Sequence, residues 1–163
     1  MSQRPHRVRT WSPRGQTPIL QYNFNWDKMS AVAGLTFCNF YFRLYEGSIK
    51  SAEVVEFLGA LLRHIPGLLT IVWDRLSAHK SKLTRGFLHQ NRERLWVEYL
   101  PGYAPERNPV EYIWAYWKQH TLPNVCPKDF WSLHATARKT LKRMRRRPRL
   151  ITAFWKQAEL SLD

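Results

Sequence analysis

Six residues, Leu69 to Asp74, restrict what the rest of this chain can build. They form a short, continuous, apolar run that stops abruptly at a carboxylate. Such a run reads as a strand buried on both faces of a sheet. Asp74 then falls where the chain leaves the sheet and side chains can face a cleft. A charge at that place is costly unless it is paired or bound to a cation. The plainer alternative is that Asp74 caps the next turn or pairs with Arg75.

The flanking pattern supplies partners for that strand. Met29 to Phe37 and Asn39 to Tyr45 are rich in strand formers and plausibly pair as a hairpin. Ser51 follows as a candidate N-cap, with Val54, Val55, Leu58, Leu61 and Leu62 at helical spacing, until Pro66-Gly67 breaks the chain. Lys80 to Arg92 reads as a basic helix and Leu95 to Leu100 as a further strand. The segment Pro101 to Pro109 holds three prolines and a glycine and must be a loop. Helical patterns resume over Pro109–His120, Pro127–Arg146 and Arg149–Leu160. No internal repeat or low-complexity linker interrupts this order.

Composition narrows the class. The 163 residues suit one domain, and eight Trp, eight Phe and seven Tyr provide the bulk for a core. The chain carries a formal charge of +14 and a pI near 10.3. A folded domain this basic calls for a polyanionic partner, nucleic acid first and an anionic membrane surface second. The longest apolar run, Gly67 to Trp73, is far too short to span a bilayer. Met1 to Gly15 is basic and polar, so it does not read as a signal peptide. Cys38 and Cys126 lie far apart, which argues for a reducing, cytoplasmic setting and against a zinc site.

A second carboxylate, Glu111, sits in Asn108-Pro109-Val110-Glu111. Asn108 suits an N-cap, Pro109 the first helical position and Glu111 the third, which together make a capping box. That expectation accounts for Glu111 without any chemistry. His79, five residues beyond Asp74, could contact phosphate or DNA, but a single histidine at a helix start is more often a surface or capping residue. Trp114 and Trp117 read as core anchors rather than base-stacking platforms. Arg138 to Arg149 holds eight basic residues in twelve, namely Arg138, Lys139, Lys142, Arg143, Arg145, Arg146, Arg147 and Arg149. A run of this kind is either a solvated helix face or, in so basic a chain, a phosphate-contacting surface.

Two segments, Val72 to Ser81 (VWDRLSAHKS) and Leu100 to Lys118 (LPGYAPERNPVEYIWAYWK), resemble the second and third catalytic blocks of DDE-type transposases of the mariner superfamily. Within it the chain is most similar to the bacterial insertion-sequence branch. Arg9 to Pro18 (RTWSPRGQTP) also resembles the segment after that branch's first catalytic strand. The resemblance runs from about Arg4 to Phe154. It implies an α/β, ribonuclease H-like mixed sheet with flanking helices. It also implies an Asp, Asp, Glu/Asp triad holding two divalent cations, Mg²⁺ or Mn²⁺, that cleaves transposon ends and transfers strands. Asp74 matches the second acid and Glu111 the third, 37 positions apart as the family requires. The partners implied are transposon-end and target DNA, with a possible homodimer, no membrane, and a bacterial cytoplasmic, nucleoid-associated location.

The chain is expected to depart from the family in two respects. The first acid lies on a strand that precedes the part matching Arg4 to Pro18, so the first, central strand is expected to be missing. Asp27 is the only aspartate before Asp74 and reads as a loop residue. Without the central strand the sheet should fall into two half-sheets with unpaired inner edges. The family's N-terminal helix-turn-helix region is likewise not found. The expected organisation is a basic irregular arm (1–17), an incomplete ribonuclease H-like domain (18–125) and basic C-terminal helices (126–163). Either the chain is an inactive remnant, which we favour, or an upstream-encoded segment supplies the strand. The alternative to a catalytic fragment is a non-catalytic basic nucleic-acid-binding module. An RNA-binding protein would explain the charge but not the two blocks.

Overall fold

The computed structural model describes residues 9, 11–17, 19, 28–102 and 105–160. Asp27, most of the N-terminal arm and Tyr103-Ala104 of the third block lie outside the described residues.

Strands β1 (Met29–Leu35) and β2 (Phe40–Glu46) form an antiparallel hairpin with Met29 opposite Glu46 and Leu35 opposite Phe40. Its tip is closed by side chains: Asn39 Oδ1 accepts from the Phe40 amide at 2.9 Å, and Thr36 Oγ1 donates to the Asn39 carbonyl at 2.9 Å. This register puts Met29, Ala31, Leu35, Phe40, Phe42 and Leu44 on one face. That face packs against three later helices, α3 (Pro109–Tyr116), α4 (Phe130–Arg145) and α5 (Pro148–Gln157). On α4 the buried residues are Leu133, Ala137, Leu141 and Met144, an i, i+4, i+8, i+11 stripe. Trp155 of α5 ties back to the hairpin by donating Nε1–H to the Thr36 carbonyl at 3.0 Å.

Helix α1 (Ser51–His64) lies against the hairpin's other face, where a Cβ on Gly34 would meet the Phe57 ring at 3.7 Å. It begins one residue earlier than Ser51 suggests: Lys50 is the N-cap, and its amide donates to the Glu53 carboxylate at 2.7 Å. Its C-terminus is capped from a distance. The Arg94 guanidinium donates to the carbonyls of Leu62, Ile65 and Gly67 at 3.0–3.3 Å, a favourable place for a cation.

The second sheet is β3 (Leu69–Trp73) paired in parallel with β4 (Leu95–Tyr99). The connection between them carries a 3-10 turn (Ser77–Lys80) and α2 (Lys82–Gln90), which starts at Ser81, whose Oγ accepts from the Thr84 amide. Val54 and Leu58 of α1 meet Trp73 and Leu95 in a second core cluster, with Ile71, Phe87, Leu88 and Val97 packed around it. Helix α1 thus joins the two sheets by burying one side of itself on each.

One expectation needs correction. β3 is buried on one face only. Thr70 is exposed, Val72 is 57% exposed and Trp96 on β4 is 63% exposed, because no described element covers that side. Among the described residues the hairpin and the parallel pair are separate two-stranded sheets, the two half-sheets that the sequence leads one to expect. The Leu69 amide and the Trp73 carbonyl both bond toward β4's side, so the polar groups of Thr70 and Val72 face the opposite edge. The helices follow the sequence closely, except that α3 ends in a π turn (Trp117–Thr121) rather than running on to His120.

Leu141 has no exposed surface, at the centre of the main core. Leu141→Ala is expected to destabilise the fold by about 2–5 kcal/mol through lost burial and a residual cavity, measured by urea unfolding.

Candidate active site

Asp74 is the first residue beyond β3, and the parallel pairing ends beside it. The Leu100 amide donates to the Trp73 carbonyl at 2.8 Å, and Arg75 Nε reaches the Leu100 carbonyl at 3.4 Å. The carboxylate therefore stands at the C-terminal end of a parallel strand pair, a usual position for ligand-binding groups in open α/β sheets. Its side chain is 53% exposed, so the desolvation cost expected from the apolar run does not arise. Arg75 does not pair with it. Asp74 Oδ1 does cap the turn by accepting from the Leu76 amide at 3.0 Å, which bears out part of the plain reading.

The same oxygen holds His79. Nδ1 lies 2.8 Å from Asp74 Oδ1 and 3.2 Å from the Asp74 carbonyl, and the imidazole stacks on Trp73 with centroids 4.2 Å apart and planes 4° from parallel. His79 is only 16% exposed. It is no surface residue. A His following an Asp by five residues, across the turn that the Asp caps, was the available signal in the sequence.

Glu111 occupies the first turn of α3 and is exposed. The capping box expected there does not form. Asn108 is the N-cap, and its Oδ1 accepts from the Val110 amide at 3.2 Å. Among the described residues the Glu111 carboxylate has no hydrogen-bond or ion-pair partner. Pro109 at the first helical position, the Asn108 cap and the helix dipole already satisfy the helix start, which leaves Glu111 without a structural duty. Trp117 is buried, and its Nε1–H donates to Thr140 Oγ1 at 2.8 Å; with Trp114 beside it at 5.9 Å, both are core anchors as expected.

Asp74 and Glu111 each offer carboxylate oxygens, a donor type that suits Mg²⁺ or Mn²⁺. Asp74 Oδ2 and both Glu111 oxygens have no hydrogen-bond partner among the described residues. Two carboxylates fit cation binding but do not complete an octahedral Mg²⁺ site, whose other ligands would be water, phosphate or a further carboxylate. Among the described residues no three His, Cys, Asp or Glu side chains gather as a metal site.

All eight basic residues of 138–149 are exposed along α4 and the start of α5. Among the described residues only Arg147 has a polar partner, the Tyr116 hydroxyl at 3.4 Å. No helix among the described residues is long and apolar enough to cross a membrane.

Residues 1–134 match the family model described as DDE superfamily endonuclease. The chain belongs to the DDE superfamily endonucleases. The fold agrees with that assignment. The Mos1 mariner paired-end complex with Mn is matched at a TM-score of 0.68 and 17% identity, over 96% of this chain and 48% of that one. The Mos1 transposase paired-end complex with left transposon end gives 0.67 and 17%, over 95% and 47%. The Mos1 strand transfer complex gives 0.66 and 15%, over 95% and 46%. The chain therefore spans about half the length of the Mos1 chains it matches and shares their ribonuclease H-like α/β fold. No curated protein matches it.

If Glu111 has no capping role, Glu111→Gln should change stability by less than about 0.5 kcal/mol. Asn108→Ala, which removes a real cap, should cost about 1 kcal/mol. Thermal melts of the two variants check the contrast.

Proposed function

We propose that this domain is the catalytic-domain portion of a transposase of the mariner superfamily, in the bacterial insertion-sequence branch. In this reading it cleaves DNA at transposon ends and transfers the strands. The observation that carries the reading is a carboxylate at the C-terminal end of a parallel strand inside a matched DDE fold, with its Oδ2 unengaged. A second carboxylate follows, free of any capping bond. Asp74 and Glu111 are assigned as the second and third acids of the triad. Two Mg²⁺ or Mn²⁺ ions, when bound, neutralise charge on the attacking and leaving oxygens of the phosphodiester. The chain's own residues hold and orient those ligands. Asp74 is fixed by the turn it caps, and Glu111 is fixed by a proline-started, Asn-capped helix.

Among the described residues no three His, Cys, Asp or Glu side chains gather as a metal site, so the first acid of the triad is not among the positions assigned here. A polypeptide extended upstream by a strand ending in Asp is expected to cleave DNA in Mg²⁺ or Mn²⁺. In that polypeptide, Asp74→Asn or Glu111→Gln should each abolish cleavage and leave DNA binding within about twofold, since each removes an interaction made with the metal rather than with the helix backbone. Full cleavage by either variant would remove the assignment.

DNA is the proposed partner, through the α4–α5 surface and the segment 126–163 that carries it. Among the described residues seven of its eight cations have no polar partner, which suits them to phosphates. The same observation supports a second reading, a non-catalytic basic DNA-binding module, which shares this surface but not the carboxylates. Neutralising Arg145, Arg146 and Arg147 together is expected to lower the slope of log affinity against log salt by up to about 3, roughly 0.9 per lost phosphate contact. Fluorescence anisotropy on duplex DNA across a salt series measures it, and an unchanged slope argues against this surface. A cytoplasmic, nucleoid-associated location and a homodimer complete the proposal.

A further inference from the structure

We propose that His79 is a positioning residue for Asp74, holding the carboxylate in one orientation so that Oδ2 is presented as a cation ligand. The inference rests on the reading of Asp74 as a metal-binding carboxylate. An exposed aspartate at the end of a strand would otherwise turn freely about its side-chain bonds, and ordering it would cost entropy when the cation arrives.

Here two donors converge on a single oxygen. The Leu76 amide reaches Oδ1 at 3.0 Å and His79 Nδ1 reaches it at 2.8 Å. Both neighbours of Nδ1, the Asp74 carboxylate and the Asp74 carbonyl at 3.2 Å, are acceptors. Nδ1 therefore carries the proton and donates to both. A protonated ring nitrogen has no lone pair for a metal, so at this atom His79 serves the ligand rather than acting as one.

The imidazole is itself held from both sides. It stacks on Trp73, which is 8% exposed and packed with Val54, Leu58 and Leu95. The turn that carries it is pinned by Thr84, a fully buried residue whose Oγ1 donates to the Ala78 carbonyl at 2.6 Å. A rigid path thus runs from the core through Trp73 and Thr84 to His79, and from His79 to Asp74.

The test is Mn²⁺ binding to the full chain, followed by electron paramagnetic resonance, with circular dichroism melts to confirm folding. His79→Phe keeps the ring on Trp73 and loses the donor. His79→Gln moves its amide beyond reach of Oδ1 and serves if the Phe variant does not fold. His79→Asn puts an amide N–H at the position of Nδ1. Loss of such an outer partner weakens metal binding by about 10–100-fold, so His79→Phe and His79→Gln should bind at least about tenfold more weakly. His79→Asn should stay within about threefold of the parent. Binding lost in Asp74→Asn but unchanged in His79→Phe and His79→Gln overturns the positioning role alone. Equal weakening in all three His79 variants also overturns it, because the donated hydrogen bond would then not be the cause. No Mn²⁺ binding by the parent chain, or unchanged binding in Asp74→Asn, overturns the ligand reading of Asp74 and this inference with it.

Discussion

The bond from the Leu100 amide to the Trp73 carbonyl closes the parallel pairing of β3 and β4, and the candidate site is arranged around that closure. One residue earlier, Asp74 would sit inside the ladder with its side chain committed to a sheet face. One residue later, it would lie in the turn, away from Trp73. At the observed place its carboxylate can cap the following turn and receive His79, while the Trp73 ring stays in the core as the floor on which His79 rests. The exposed carboxylate is therefore held by a histidine that rests on the buried Trp73 rather than by burial of its own.

Two separate two-stranded sheets would be marginal alone. They are held as one molecule by α1, whose Phe57 meets the hairpin at Gly34 and whose Val54 and Leu58 enter the cluster under β3 and β4. Arg94, from just before β4, completes the tie by capping the end of α1. Among the described residues nothing covers the face of Val72 and Trp96 or pairs with the β3 edge that points away from β4.

The charge has a similar division of labour. On α4, Leu133, Ala137, Leu141 and Met144 bury one stripe, and the cations between them are exposed with almost no partners among the described residues. Repulsion among them weakens the isolated helix, so the helix depends on its apolar stripe for stability. The basic face is left available for a polyanion.

Much of this was legible in the sequence. The hairpin, the apolar run ending at Asp74, the proline-rich loop and the Asn108-Pro109 helix start are local patterns, each set by the periodicity or the backbone limits of a few neighbouring residues. The two carboxylate positions came from the same local signals together with the family blocks around them. Pairing between distant segments was beyond such signals. That β3 has one bare face, that Glu111 takes no part in its cap and that His79 is sequestered against Trp73 and Asp74 all depend on which elements arrive beside a residue after the chain folds. Composition cannot report this, because an apolar run is buried only where something packs on it, and a histidine is a tether only where an acceptor and a ring meet it in space.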